Sequence, residues 1–159
     1  MSHHHQEDVA LDDAELTDGL LGYSAQEVIA DFGGHTVSSF RLLLAERGDS
    51  MDLMFTYSVI SRQGFAYFLP SIDAYARSPE SDSDCGLPGS FAHAIKNQLR
   101  MNPVAVYEVQ DQVESLSKYF LDHLVKFDQG DDWAQKTAGE LGDILGNLRR
   151  MKSAEQAAT

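Results

Sequence analysis

The stretch Pro103-Val-Ala-Val-Tyr-Glu-Val-Gln-Asp-Gln-Val-Glu-Ser-Leu-Ser-Lys-Tyr-Phe-Leu-Asp-His-Leu-Val-Lys-Phe127 decides the fold class. Its apolar residues Val106, Val109, Val113, Leu116, Phe120, Leu124 and Phe127 step by three or four, which is the spacing of one helix face over about six turns. Asn102 is placed to cap this helix, and Pro103 takes the first helical position, where a missing N–H loses no bond. Gln129-Gly130 closes it. Asp131-Asp132 then opens a last helix whose stripe is Trp133, Leu141, Ile144, Leu145, Leu148 and Met151. The interior of that helix carries Gly139, Gly142 and Gly146, each costing up to about 1 kcal/mol relative to alanine. At about 100° per residue they gather opposite the apolar stripe. A second backbone, in an oligomer or a bound partner, has room to approach there.

Upstream, Ser90 leads a helix through Phe91, Ala94, Ile95 and Leu99. Ser61 caps another, with Phe65, Phe68 and Leu69 on one face. Pro70 interrupts it, so that the chain kinks or restarts at Ser71 and continues through Ile72, Tyr75 and Ala76. Ser78 to Gly89 is a polar loop. Ser24-Ala-Gln-Glu27 has the form of a capping box before Val28, Ile29 and Phe32, and Gly33-Gly34 ends that helix. Leu11 to Leu21 holds at best a short helix. Residues 36 to 60 are ambiguous: Thr36 can cap a helix through Phe40, Leu43 and Leu44, whereas Phe55, Tyr57, Val59 and Ile60 favour extended structure by propensity. The expectation is a mainly α, single-domain helical bundle over residues 11–152, with tails at 1–10 and 153–159. A short strand pair between 36 and 60 is left open.

The phrase Ile60-Ser-Arg-Gln-Gly-Phe-Ala-Tyr-Phe-Leu-Pro70, followed by Tyr75, resembles the central signature of an uncharacterised family of small bacterial proteins. In that family a serine-capped turn leads to Phe-x-Tyr-Phe/Tyr-Leu-Pro. The likeness spans roughly residues 50 to 128 and implies a bacterial helical domain. It brings no activity with it. Phe65, Phe68 and Leu69 account for one buried face of the phrase, while Tyr67 points elsewhere and offers an aromatic hydroxyl for anchoring a partner.

At 159 residues the chain can bury a self-sufficient core. Its one cysteine, Cys85, excludes an internal disulfide, and no secretory signal or membrane-length apolar run is present, so the cytoplasm is the expected compartment. The net charge is −13, and residues 1–40 hold eight Asp or Glu and no Lys or Arg. Such a field repels phosphate backbones and speeds encounter with a basic protein. Direct nucleic-acid binding is disfavoured.

Chemistry fails on spacing. His35, Cys85, His93 and His123 form no metal-ligand pattern, and His3, His4 and His5 lie on a tail without fixed geometry. The Glu80 to Gly86 loop places Cys85 where a calcium loop needs glycine and Phe91 where it needs glutamate. Cys85 has an acid, Asp84, beside it and no cation that would activate it as a nucleophile. No nucleophile elbow or phosphate-binding loop occurs, and neither a metal nor a cofactor is expected. The first reading is a non-catalytic acidic protein-binding domain of the immunity or antitoxin kind. Its candidate contact residues are Asp12, Asp13, Glu15, Asp18, Tyr67, Gly139, Gly142 and Gly146. The alternatives are a homo-oligomeric structural or regulatory protein and a small enzyme built from scattered residues such as His93, His123 and Asp84.

Overall fold

Residues 36–60, where strand and helix compete, hold two helices, Val37–Arg47 and Met51–Tyr57, and no strand. The computed structural model describes residues 9–127 and 130–158. Along them run α1 (Asp13–Leu16), α2 (Gly22–Phe32), α3 (Val37–Arg47), α4 (Met51–Tyr57), α5 (Arg62–Arg77), α6 (Leu87–Met101), α7 (Pro103–Glu108), α8 (Gln110–Asp122) and α9 (Asp131–Ala157). Single 3-10 turns stand at Pro79–Ser81 and Leu124–Phe127, and no strand occurs among the described residues. The histidines at 3–5 and Gln129 fall outside those residues. Residues 153–157 continue α9 as exposed helix.

The strand alternative fails because local signals on both sides of it are helical. Thr36 and Ser39 form a capping box at the start of α3. Gly48 ends α3 in the left-handed conformation at φ +65°, a C-terminal stop that glycine adopts without a Cβ penalty. In α4, Leu53, Met54 and Tyr57 are buried at helical spacing. The extended propensity of Tyr57 is overridden by its contacts: the ring stacks on Phe65 at 5.1 Å and the hydroxyl donates to the Phe65 carbonyl at 2.7 Å.

Two helices organise the packing. The first, α5, packs against α1, α3 and α7. Ser61 caps it as expected, accepting from the Gly64 N–H at 3.1 Å. Pro70 does not divide it. Pro70 and Ala66, whose carbonyl would have accepted the missing N–H, share a half-buried side, while Phe65, Phe68, Leu69 and Ile72 fill the buried one. The break in the hydrogen-bond ladder therefore lies where water can reach it. Phe32, Phe40 and Phe68 meet above this face, with ring centroids 4.7–5.0 Å apart. The second organiser, α6, packs against α4, α7 and α9. It starts at Leu87, with Pro88 in its first turn, earlier than Ser90. Gln98 of α6 donates to the carbonyls of Ser58 and Ile60, tying the α4–α5 turn to it.

Two further sequence expectations change. The capping box at Ser24–Glu27 does not form, because α2 begins at Gly22 and Ser24 falls inside its first turn; boxes form instead at Asp12–Glu15 and Thr36–Ser39. The long 103–127 helix is three pieces, broken at Val109 (φ −120°, ψ 26°) and His123 (φ −128°, ψ 25°), and Asn102 precedes it without a side-chain cap. Of the stripe, Val106, Val113, Leu116, Phe120 and Phe127 are buried, and Val109 and Leu124 are half-buried. The breaks let α7 pack on α5 and α6 while α8 packs on α9, and they turn Phe127 back to meet Phe120 at 5.3 Å. Four valines between 104 and 113, stiff at χ1, make this a weak place to keep a straight helix.

Gly64 permits the entry into α5. A Cβ there would stand 2.6 Å from Cδ1 and Cγ1 of Ile60. Gly64→Ala is expected to destabilise the fold by about 2 kcal/mol through overpacking, read as a shift of the urea midpoint. Adding Ile60→Val, which removes one of the two clashing atoms, should recover part of that loss.

Candidate functional site

The polar residues of the 60–70 phrase hold the acidic N-terminal segment against α5. Ser61 Oγ donates to the Glu15 carbonyl at 2.7 Å, and the Ser61 N–H meets the Leu16 carbonyl at 3.4 Å. Gln63 Nε2 donates to the Glu15 carboxylate at 3.2 Å, and the Tyr67 hydroxyl donates to the Val9 carbonyl at 2.7 Å. Leu16, fully buried, supplies the apolar part of the attachment. Tyr67 thus anchors the chain's own N-terminal segment.

What this attachment presents outward is a segment with no cation of its own. From Val9 to Gly34 every charged side chain is an acid. Asp12 and Glu15 are committed to capping α1, Asp12 Oδ1 accepting from the Glu15 N–H at 2.8 Å and Glu15 returning the bond at 3.0 Å. Asp31 accepts from the Thr56 hydroxyl at 2.6 Å. Asp13 and Asp18 are exposed. Two large apolar residues stand out among these acids: Leu21 is 87 % and Tyr23 73 % exposed. The hydroxyl of Tyr23 bonds to the Glu27 carboxylate one turn on, which pushes its pKa up and fixes the ring on the outer side of α2.

The glycine face lies elsewhere. The helix bearing it, α9, packs on α6 and α8 through Leu141, Ile144 and Leu148. Gly139 and Gly142 are exposed, and a Cβ on either would meet nothing within 4 Å; at Gly146 it would meet only the end of Arg150. Placing the glycines opposite the apolar stripe agrees with these positions, and nothing within the chain requires glycine there.

The scattered polar candidates have separate occupations. Asp84 is buried, with one oxygen accepting from the Tyr75 hydroxyl at 2.8 Å and the Ser50 N–H at 3.2 Å, so it joins the loop to α4 and α5. His123 stacks on Tyr119 at 4.1 Å and bonds to its carbonyl. His93 lies parallel to Phe55 at 6.4 Å. Among the described residues no three His, Cys, Asp or Glu side chains converge as a metal site.

His93 belongs to a feature that sequence reading did not find, a groove of about 690 Å³ between the starts of α4, α6 and α9. Met51 and Phe55 line one wall, Trp133 and Lys136 the other, and His93 and Lys96 of α6 stand between them. The only sequence signal was that Trp133 begins the last stripe far from its next member. No protein-family model, no curated protein and no solved structure matches this chain. The two surfaces are therefore interpreted from their own chemistry.

Proposed function

We propose that this chain is a non-catalytic cytoplasmic binding protein of the immunity or antitoxin kind, whose α1–α2 face meets a basic protein partner. The observation that carries the reading is the exposure of Leu21 and Tyr23 in a segment, residues 9–34, whose every charged side chain is acidic. Protein interfaces combine apolar or aromatic anchors with a charged rim, and the rim sets association rate and partner choice. The acids would steer the partner in, and Leu21 with Tyr23 would hold it. Membership of the small bacterial family suggested by the 60–70 phrase is part of the same proposal. No helix among the described residues is long and apolar enough to cross a membrane.

The test is capture of a basic protein from the source cells by the wild-type chain, followed by quantitative binding with variants. Leu21→Ser with Tyr23→Ser is expected to weaken binding about 100-fold through faster dissociation. Asp13→Lys with Asp18→Lys, both at exposed positions, should slow association about tenfold at low salt, and the wild-type association rate should fall as salt rises. Binding that ignores salt and survives both pairs of changes would remove the reading. The oligomeric alternative rests on the open glycine face of α9, and sedimentation decides it: a strict monomer at tens of micromolar excludes it.

A further inference from the structure

The α4–α6–α9 groove has a composition at odds with the rest of the surface. Phe55 and Trp133 are 62 % and 66 % exposed, and Met51 is 53 % exposed, so three of the largest apolar side chains left outside the core stand around one concavity. Gly86, Gly89 and Gly130 line it where α6 and α9 begin, which keeps the groove open. Its volume lies within the roughly 300–1,000 Å³ of small-molecule sites.

Charge selects the occupant. In a chain of net charge −13, the charged side chains lining this groove among the described residues are Lys96, Lys136 and one acid, Glu140. Lys136 Nζ lies over the Trp133 ring at 5.4 Å from its centroid. Among the described residues Lys96 pairs with the exposed Asp143 at a long 4.0 Å, an interaction an incoming anion can displace. His93, stacked on Phe55, continues the aromatic wall next to the lysines. We propose that the groove binds a small amphipathic anion, with an alkyl or aromatic body lying against Met51, Phe55 and Trp133 and a carboxylate meeting Lys96 and Lys136. This site uses different helices from the α1–α2 face and does not depend on the partner assigned to that face.

The chain has a single tryptophan, so Trp133 emission reports on this groove alone. The experiment titrates the full chain with decanoate, decanol and decyltrimethylammonium below their micelle concentrations, following Trp133 emission with calorimetry alongside. Decanoate is expected to saturate a change in emission, with decanol and the cation at least about tenfold weaker. Lys96→Gln with Lys136→Gln should raise the decanoate Kd about tenfold, and Phe55→Ser should abolish binding, both variants keeping the wild-type circular dichroism and melting temperature. Both changes lie at exposed or half-exposed positions. Three results would overturn the proposal. Decyltrimethylammonium could bind as tightly as decanoate, decanoate could give neither heat nor saturable emission change up to about 1 mM, or sedimentation could show a dimer that Phe55→Ser dissociates, making the groove an interface between copies.

Discussion

Phe68→Ala is expected to lower the free energy of unfolding by about 4 kcal/mol, because a buried aromatic truncated to alanine loses both its transfer energy and the filling of its site. Phe68 is fully buried on α5, with Phe32, Phe40 and Tyr67 around it at ring distances of 4.8–5.0 Å. These partners come from α2, α3 and α5, so the cavity opens where three helices join and cannot close by moving one of them. Against a total stability of about 5–15 kcal/mol for a domain of this kind, the loss should appear as a large drop in the urea midpoint followed by circular dichroism. Tyr67→Phe is the control one residue away. It keeps the ring and removes the hydroxyl that donates to Val9, a bond worth about 1 kcal/mol. Equal effects from the two changes would mean that the aromatic junction is not the centre of the core.

The second large effect is at Asp84. Asp84→Ala leaves the buried Tyr75 hydroxyl and the Ser50 N–H without their acceptor, and two such orphaned donors cost about 3 kcal/mol together. Asp84→Asn keeps an acceptor oxygen and should lose much less. The pair also reads out a pH dependence. Burial pushes the Asp84 carboxyl above its ordinary value, against the pull of the Tyr75 and Ser50 donors. The folded protein therefore holds a proton that the unfolded chain releases near about pH 4, so this group's contribution to stability is full below that pH and falls as pH rises through the folded value. In Asp84→Asn that part of the slope should vanish. A slope unchanged in the asparagine variant would show that Asp84 titrates as it does in the unfolded chain.

These predictions separate what the chain states locally from what it states only when folded. Thr36, Ser61 and Pro103 announce helix starts within a few residues, and each begins a helix in the structure. The apolar stripes of α5, α6 and α8 are likewise local. The breaks at Val109 and His123 were not legible, because an unbroken stripe looks the same whether its partner is one long surface or several short ones. Ser24 and Glu27 matched a motif that did not form, since α2 had already begun at Gly22. The candidate surfaces divide the same way. The acidity of residues 9–34 can be counted from the sequence, but that Ser61, Gln63 and Tyr67 bind this segment requires contacts across 46–58 positions. The groove needed Met51, His93 and Trp133 together, and no window of sequence contains them.

The two ends of α5 are finished by other parts of the chain. At its start Ser61 is bonded to α1, and at its end Lys126 Nζ donates to the carbonyls of Ala76 and Ser78 at 2.7 and 2.8 Å from some 50 residues downstream. A peptide cut out to contain only this helix would carry its own Ser61 cap at one terminus and frayed carbonyls at the other. The 60–70 phrase is thus not a transplantable module: its order is lent by segments that lie before and after it. Amide protons of α5 should therefore exchange with solvent only when the whole molecule opens.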